Sequence, residues 1–114
     1  MRKIVFAILA VSITLFFQYC SSSKKAAKSA PAVTFENSVS GIIETSCGPC
    51  HVAGKGNKAP LNNFTAASKS IDEIIARVQK NPGERGFMPL MHDKLPDSTI
   101  NKLIAWKNAG LKEK

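Results

Sequence analysis

Apolar residues fall along this chain in four groups, and the spacing within each group predicts its element. The first is almost unbroken: Ile4 to Phe17 reads IVFAILAVSITLFF, 14 residues behind the cationic pair Arg2 and Lys3. That length and that flank match the charged and apolar regions of a secretory signal. A bilayer-crossing helix wants roughly 20 apolar residues, so the segment predicts export. The other three groups carry helical spacing. Phe35, Val39, Ile42 and Ile43 form one stripe behind Thr34, a residue suited to capping, and this helix is expected to end near Cys47. Ser70 with Glu73 three residues on reads as a capping box opening a second helix, with Ile71, Ile74, Ile75 and Val78 on one face and Asn81-Pro82-Gly83 as its stop. Asp97 is placed to cap a third, which carries Ile100, Leu103, Ile104 and Trp106 and reaches Gly110, where a left-handed terminal residue is expected. No run of alternating β-branched residues is long enough for a sheet, so the folded part is expected to be all-α.

The polar stretches divide the chain. Residues 1–19 are the signal segment, and 20–33 (CSSSKKAAKSAPAV) hold too little apolar surface to fold, so they predict a flexible Ser/Ala/Lys tether. Residues 34–114 are the one domain that 114 residues leave room for. Three short helices make a poor core for a chain of this size, and such domains draw stability from a disulfide, a metal or a bound group. The long connections from His51 to Ser68 and from Asn81 to Pro96 could wrap around a flat cofactor.

Charge changes the picture less than its total suggests. Sixteen Lys and Arg against eight Asp and Glu give +8, but residues 34–114 hold 11 basic and 8 acidic side chains, a net of +3. The basic excess sits in the signal and tether, so a nucleic-acid partner is not expected. The three cysteines (Cys20, Cys47, Cys50) are an odd number, which argues against a purely disulfide-knit scaffold.

Cys47-Gly48-Pro49-Cys50-His51 is a C-x-x-C-H sequence, the attachment signature of a c-type haem. Two cysteines three positions apart can reach the two vinyl groups on one porphyrin edge as thioethers, and the adjacent histidine can then ligate the iron. Cys-Gly-Pro-Cys is also a redox dithiol of thioredoxin-like proteins, but that site follows a strand in a βαβ unit, and no strand signal precedes it here. A zinc site needs a further ligand pair, and only His92 remains. For the opposite face of the iron the candidates are Met88, Met91 and His92. Met88 is favoured because Pro89 stiffens the turn that carries it and a thioether is neutral and soft enough to favour Fe(II).

In this order of features, residues 34 to about 112 resemble the small class I cytochrome c family: a helix into C-x-x-C-H, Ala59-Pro60-Leu61, a helix, Gly86-Phe87-Met88-Pro89, and a final amphipathic helix from Ile100 to Gly110. The resemblance implies a bundle of three to four short helices wrapped around one covalent haem c, with His51 the proximal ligand and Met88 the distal one. It also implies that the Pro60 carbonyl accepts the His51 Nδ1 hydrogen, and that the aromatic of the last helix, Trp106, packs on Val39 or Ile43 of the first. Lys55, Lys58, Arg77 and Arg85 are candidates to neutralise the haem propionates, or are solvated surface charges.

With both axial positions filled no coordination site is left open, and the expected function is one-electron transfer between redox proteins by a monomeric carrier, not catalysis. A five-coordinate haem sensor or small peroxidase-like protein, and a thiol-disulfide oxidoreductase using Cys47 and Cys50, are the alternatives. Cys20, directly after the apolar run and before Ser21-Ser22-Ser23, resembles the lipidated cysteine of a bacterial lipoprotein, although Tyr19 and Phe17 depart from that pattern. Ordinary cleavage or an uncleaved short anchor are its alternatives. The expected location is the periplasmic side of a bacterial membrane, held there by lipid or by the N-terminal segment.

Overall fold

A computed structural model describes residues 31–114. The expected signal segment, Cys20 and residues 20–30 of the expected tether lie outside the described residues. Among the described residues there are three helical segments and no strand, so the domain is all-α. None of those helices is long and apolar enough to cross a membrane.

The first segment, α1, is built of three consecutive pieces: π-helical Phe35–Val39, α-helical Ser40–Ile42 and π-helical Ile43–Cys47. Thr34 caps it as its side chain suggests. Its Oγ1 accepts from Asn37 N at 3.3 Å, and Asn37 Oδ1 accepts from Thr34 N at 2.9 Å, a reciprocal pair that satisfies two otherwise orphaned donors. Upstream, Asn37 Nδ2 donates to the Ala32 carbonyl, and Val33 packs on the core.

The second helix, α2, spans Phe64–Val78 and starts well before the Ser70–Glu73 pair predicts. Asn63 is the cap: its side chain accepts from Ala66 N at 2.9 Å. The earlier start extends the buried stripe backwards through Ala67 toward Phe64, so burial of another turn outweighs the local signal at Ser70. The third, α3, spans Asp97–Asn108, and here Pro96 holds the capping position with no side-chain bond. Asp97 instead sits in the first turn, where a carboxylate faces the positive end of the helix dipole. Gly110 has φ of +84°, the left-handed ending expected of it.

The helices meet through an aromatic cluster. Trp106, completely buried, has its ring centroid 6.0 Å from Phe35 and 6.3 Å from Phe64, and Phe35 lies 6.0 Å from Phe64 at a steep interplanar angle. The first residue of α1, the first of α2 and the last turn of α3 thus close one end of the bundle. The Lys112 carbonyl pins it, accepting from both Trp106 Nε1 at 2.7 Å and Phe35 N at 2.9 Å. Glu36 N donates to the Glu113 carbonyl, so the C-terminal tail satisfies the open donors at the start of α1. Val39 and Ile43 belong to the same buried core, but the direct ring partners of Trp106 are Phe35 and Phe64.

Trp106→Ala is expected to cost about 3–5 kcal/mol by emptying this cluster. Trp106→Phe, which keeps most of the area and loses the Nε1 donor, is expected to cost about 1 kcal/mol in hydrogen bonding plus a smaller packing loss. Denaturant midpoints of the two variants check this ordering.

Candidate functional site

The opposite ends of α1 and α2 do not close on each other. Between them and the Met88–Leu95 segment lies a cavity of about 460 Å³, within the roughly 300–1,000 Å³ of small-molecule and cofactor sites. Three walls enclose it. One is the end of α1 and the loop after it, with Cys47, Cys50 and His51; a second is one face of α2, where Ser70, Glu73, Ile74, Arg77 and Val78 recur at helical spacing; the third carries Met88, Pro89, Met91, His92 and Leu95. The C-x-x-C-H residues and all three distal candidates therefore line one space, although Met88 lies 37 positions beyond His51.

Backbone bonds hold the first wall. Gly48 ends α1 in extended geometry, and a Cβ built there would stand 2.5 Å from the Glu44 carbonyl oxygen. The chain then coils on itself: His51 N donates to the Cys47 carbonyl, Lys58 N to that of Cys50 and Leu61 N to that of His51. Gly56 lies so close beneath that a Cβ would meet the Cys50 oxygen at 2.2 Å and the Pro49 oxygen at 2.4 Å. Asn62 ties the loop to α1, accepting from Ala53 N at 3.1 Å and donating to Glu44 Oε1 at 3.2 Å.

His51 Nδ1–H donates to the Ala59 carbonyl at 2.8 Å. A carbonyl can only accept, so this bond places the proton on Nδ1 and leaves the lone pair on Nε2, the tautomer a metal-ligating imidazole needs. The Pro60 carbonyl does not have this role. Pro60 is exposed and absent from the cavity wall, while Ala59 and Leu61 on either side line it. The bond falls one residue earlier because the Leu61 N to His51 O bond sets the return of the loop. Nothing in the residue types marks Ala59, since its contribution is purely backbone.

The third wall hangs from α2. Met88 N donates to the Arg77 carbonyl at 3.3 Å, Phe87 is buried, and Glu84 N closes a turn on Asn81 O. Asn81 also donates its side-chain amide to the Glu84 carboxylate, holding that carboxyl below its usual range, and accepts from Lys94 Nζ at 2.9 Å. Met88 is half-buried and Pro89 buried, whereas Leu90 and Met91 are 72% and 79% exposed. His92 is exposed, with Nε2 3.3 Å from the Gly48 carbonyl. Of the four proposed cationic partners, Lys58 and Arg77 line the cavity and Lys55 and Arg85 do not. Arg77 is already paired with Glu73, its Nη2 2.6 Å and its Nε 2.9 Å from Oε1.

Cys47 and Cys50 are not joined in a disulfide. Burial pushes the Cys47 thiol above its ordinary value of 9.0, the reverse of the lowered value that activates a dithiol nucleophile. Among the described residues no three His, Cys, Asp or Glu side chains are gathered as a metal shell. A porphyrin brings four ligands of its own and asks the chain for axial donors alone, and an imidazole nitrogen and a thioether sulfur on the walls of one largely apolar cavity suit that demand. Comparisons with protein-family models, with curated proteins and with solved structures found no match to this chain.

Gly56→Ala is expected to destabilise the domain far more than Gly54→Ala. The first drives a methyl into fixed backbone, while the second, at φ of +76° with open space around it, costs only the roughly 1–2 kcal/mol of a left-handed non-glycine residue. Thermal unfolding of the pair distinguishes them. In chain prepared without cofactor, the folded state keeps the Cys47 proton at a pH where the unfolded state releases it. Its contribution to stability is therefore complete below pH 9.0 and lost as pH rises through the higher folded value. Cys47→Ala is expected to flatten that slope in denaturant titrations run across the alkaline range.

Proposed function

We propose that this protein is a one-electron carrier of the cytochrome c type, holding one haem c through thioethers to Cys47 and Cys50, with His51 and Met88 as axial ligands. The observation that carries this reading is the convergence of C-x-x-C-H and Met88 on one cavity, with the His51 Nδ1 proton donated to the Ala59 carbonyl. The haem, when bound, supplies the Fe(III)/Fe(II) couple.

The chain's own residues do the rest. The coiled loop from Gly48 to Leu61 fixes both cysteines and His51 to one rigid wall, so little has to rearrange when the charge at the centre changes. Ala59 orients the imidazole and strengthens it as a donor. The Arg77 carbonyl and buried Phe87 hold Met88 in place on a separate wall, and its neutral thioether favours the reduced state. Leu61, Ile74, Val78 and Leu95 give that cavity an apolar lining. Lys58 is the cavity cation left available for an anionic group, since Arg77 is committed to Glu73.

The residues before the domain complete the proposal. An exported chain anchored at a membrane by lipid on Cys20 or by the apolar segment would meet redox partners there at a raised effective concentration.

Production in a host able to mature c-type cytochromes is expected to yield a red protein whose haem stays with the polypeptide after denaturation. Cys47→Ser with Cys50→Ser is expected to abolish that covalent signal. The ferric protein is expected to show a weak absorption band near the red end from sulfur ligation, lost in Met88→Ala, and carbon monoxide is expected to leave the ferrous spectrum of the unsubstituted protein unchanged. Colourless, compactly folded protein from such a host would overturn the proposal, and carbon monoxide binding would move it to an open-site haem protein.

A further inference from the structure

We propose that His92 is a reserve ligand of the same site, which takes the iron when the Met88 sulfur is off it; this rests on the haem reading above. The cavity wall carries more donors than one axial position can use, and His92 is its surplus imidazole, exposed and held by one hydrogen bond. Two anchors bracket its segment: Pro89, buried and following a residue bonded to Arg77 O, and Leu95, buried in the core. Between them Leu90, Met91, His92 and Asp93 are all exposed, so this short stretch can shift without taking a side chain out of the core.

His92 nevertheless lines the cavity. What holds its ring there is a single hydrogen bond, Nε2–H to the Gly48 carbonyl at 3.3 Å, a long and hence weak one. That bond joins the Met88 segment to the backbone beside Cys47, so the imidazole stands at the edge of the space that the cofactor would fill. In this tautomer Nδ1 keeps the lone pair, and breaking that one bond frees the ring to turn; Nε2 becomes a donor only once its proton has passed to Nδ1 through solvent.

The exchange balances: a neutral thioether leaves, a neutral imidazole enters, the lone pair of Nδ1, or of Nε2 after its proton has moved to Nδ1, replaces that of sulfur, and no electron is transferred. Its effect is to keep the sixth position closed, denying it to diatomic gases and peroxides, and to lower the reduction potential, because imidazole favours Fe(II) less than a thioether does. Met91, the other exposed donor on this wall, competes only as a second thioether, which would leave the ligand type unchanged.

The test uses the full matured chain and four proteins: unsubstituted, His92→Ala, Met88→Ala, and Met88→Ala with His92→Ala. Covalent haem is measured first in each; if it is missing from the unsubstituted protein, the proposed function fails with the inference. With haem present, Met88→Ala is expected to remain low-spin, to show the paramagnetic resonance signature of two imidazoles, and to resist carbon monoxide. The double variant is expected to become high-spin and to bind carbon monoxide with at least a tenfold gain over Met88→Ala, while His92→Ala keeps the unsubstituted spectrum. The inference is overturned if Met88→Ala is already high-spin and binds carbon monoxide as the double variant does. It is equally overturned if the double variant stays low-spin, which would assign the replacement to Met91 or another donor, or if the unsubstituted protein itself carries two imidazoles. Should Met88→Ala fail to accumulate, displacing Met88 from unsubstituted and His92→Ala protein by mild denaturant reads the same contrast: a bis-imidazole intermediate in the first and none in the second.

Discussion

The packing of Trp106 between Phe35 and Phe64 is the contact on which the remaining architecture depends, because it closes one end of the bundle and leaves the other open. Three large rings gather the starts of α1 and α2 against the last turn of α3, and the Lys112 carbonyl bridges the indole to the first backbone donor of α1. Among the described residues the aromatic contacts are confined to that end. The apolar groups at the other, Ile74, Val78, Leu61 and Leu95, face a space that the chain does not fill itself. A domain with so short a core gains from a bound group that occupies such a space, since the ligand's own apolar area adds to what the folded state buries.

The two walls that carry the candidate ligands are built on different physical principles. The C-x-x-C-H wall is a backbone object, in which a coil of main-chain hydrogen bonds passes so near itself that Gly48 and Gly56 leave no room for a Cβ. Its rigidity comes from close approach. The Met88 wall is suspended from α2 by Met88 N on Arg77 O and braced by the Asn81, Glu84 and Lys94 hydrogen bonds, with an exposed stretch from Leu90 to Asp93 beyond the ligand residue. If the proposed haem is bound, a firm wall at His51 and a more adjustable one at Met88 suit a site that keeps its ligands as its charge changes.

Electrostatics has a smaller part. The net charge of +3 over residues 34–114 is spread thinly, and the one arginine at the cavity is neutralised by Glu73 four residues before it. Lys107 with Asp72 and Lys114 with Glu36 are exposed pairs that contribute little each. What the site offers is one polar contact placed by the backbone, the Ala59 carbonyl that takes the His51 Nδ1 hydrogen.

The helical class, the three apolar stripes, the Thr34 cap, the left-handed end at Gly110 and the candidate roles of Cys47, Cys50, His51 and Met88 could be read from the order of amino acids, because each rests on local periodicity or on side-chain chemistry that travels with the residue type. The start of α2 at Phe64 could not. Ser70 and Glu73 spell a capping box locally, and only the burial gained beyond Asn63 overrides it. Nor could the pairing of Trp106 with Phe64 be read, since it joins residues 42 positions apart. The partner of His51 is Ala59 where the family resemblance pointed to Pro60, because a main-chain acceptor is chosen by where the loop returns and every residue offers the same carbonyl. Composition and spacing thus established which atoms the chain has available for a cofactor, and the closing of the loops in space settled which of them face it, because register and reach belong to the folded backbone.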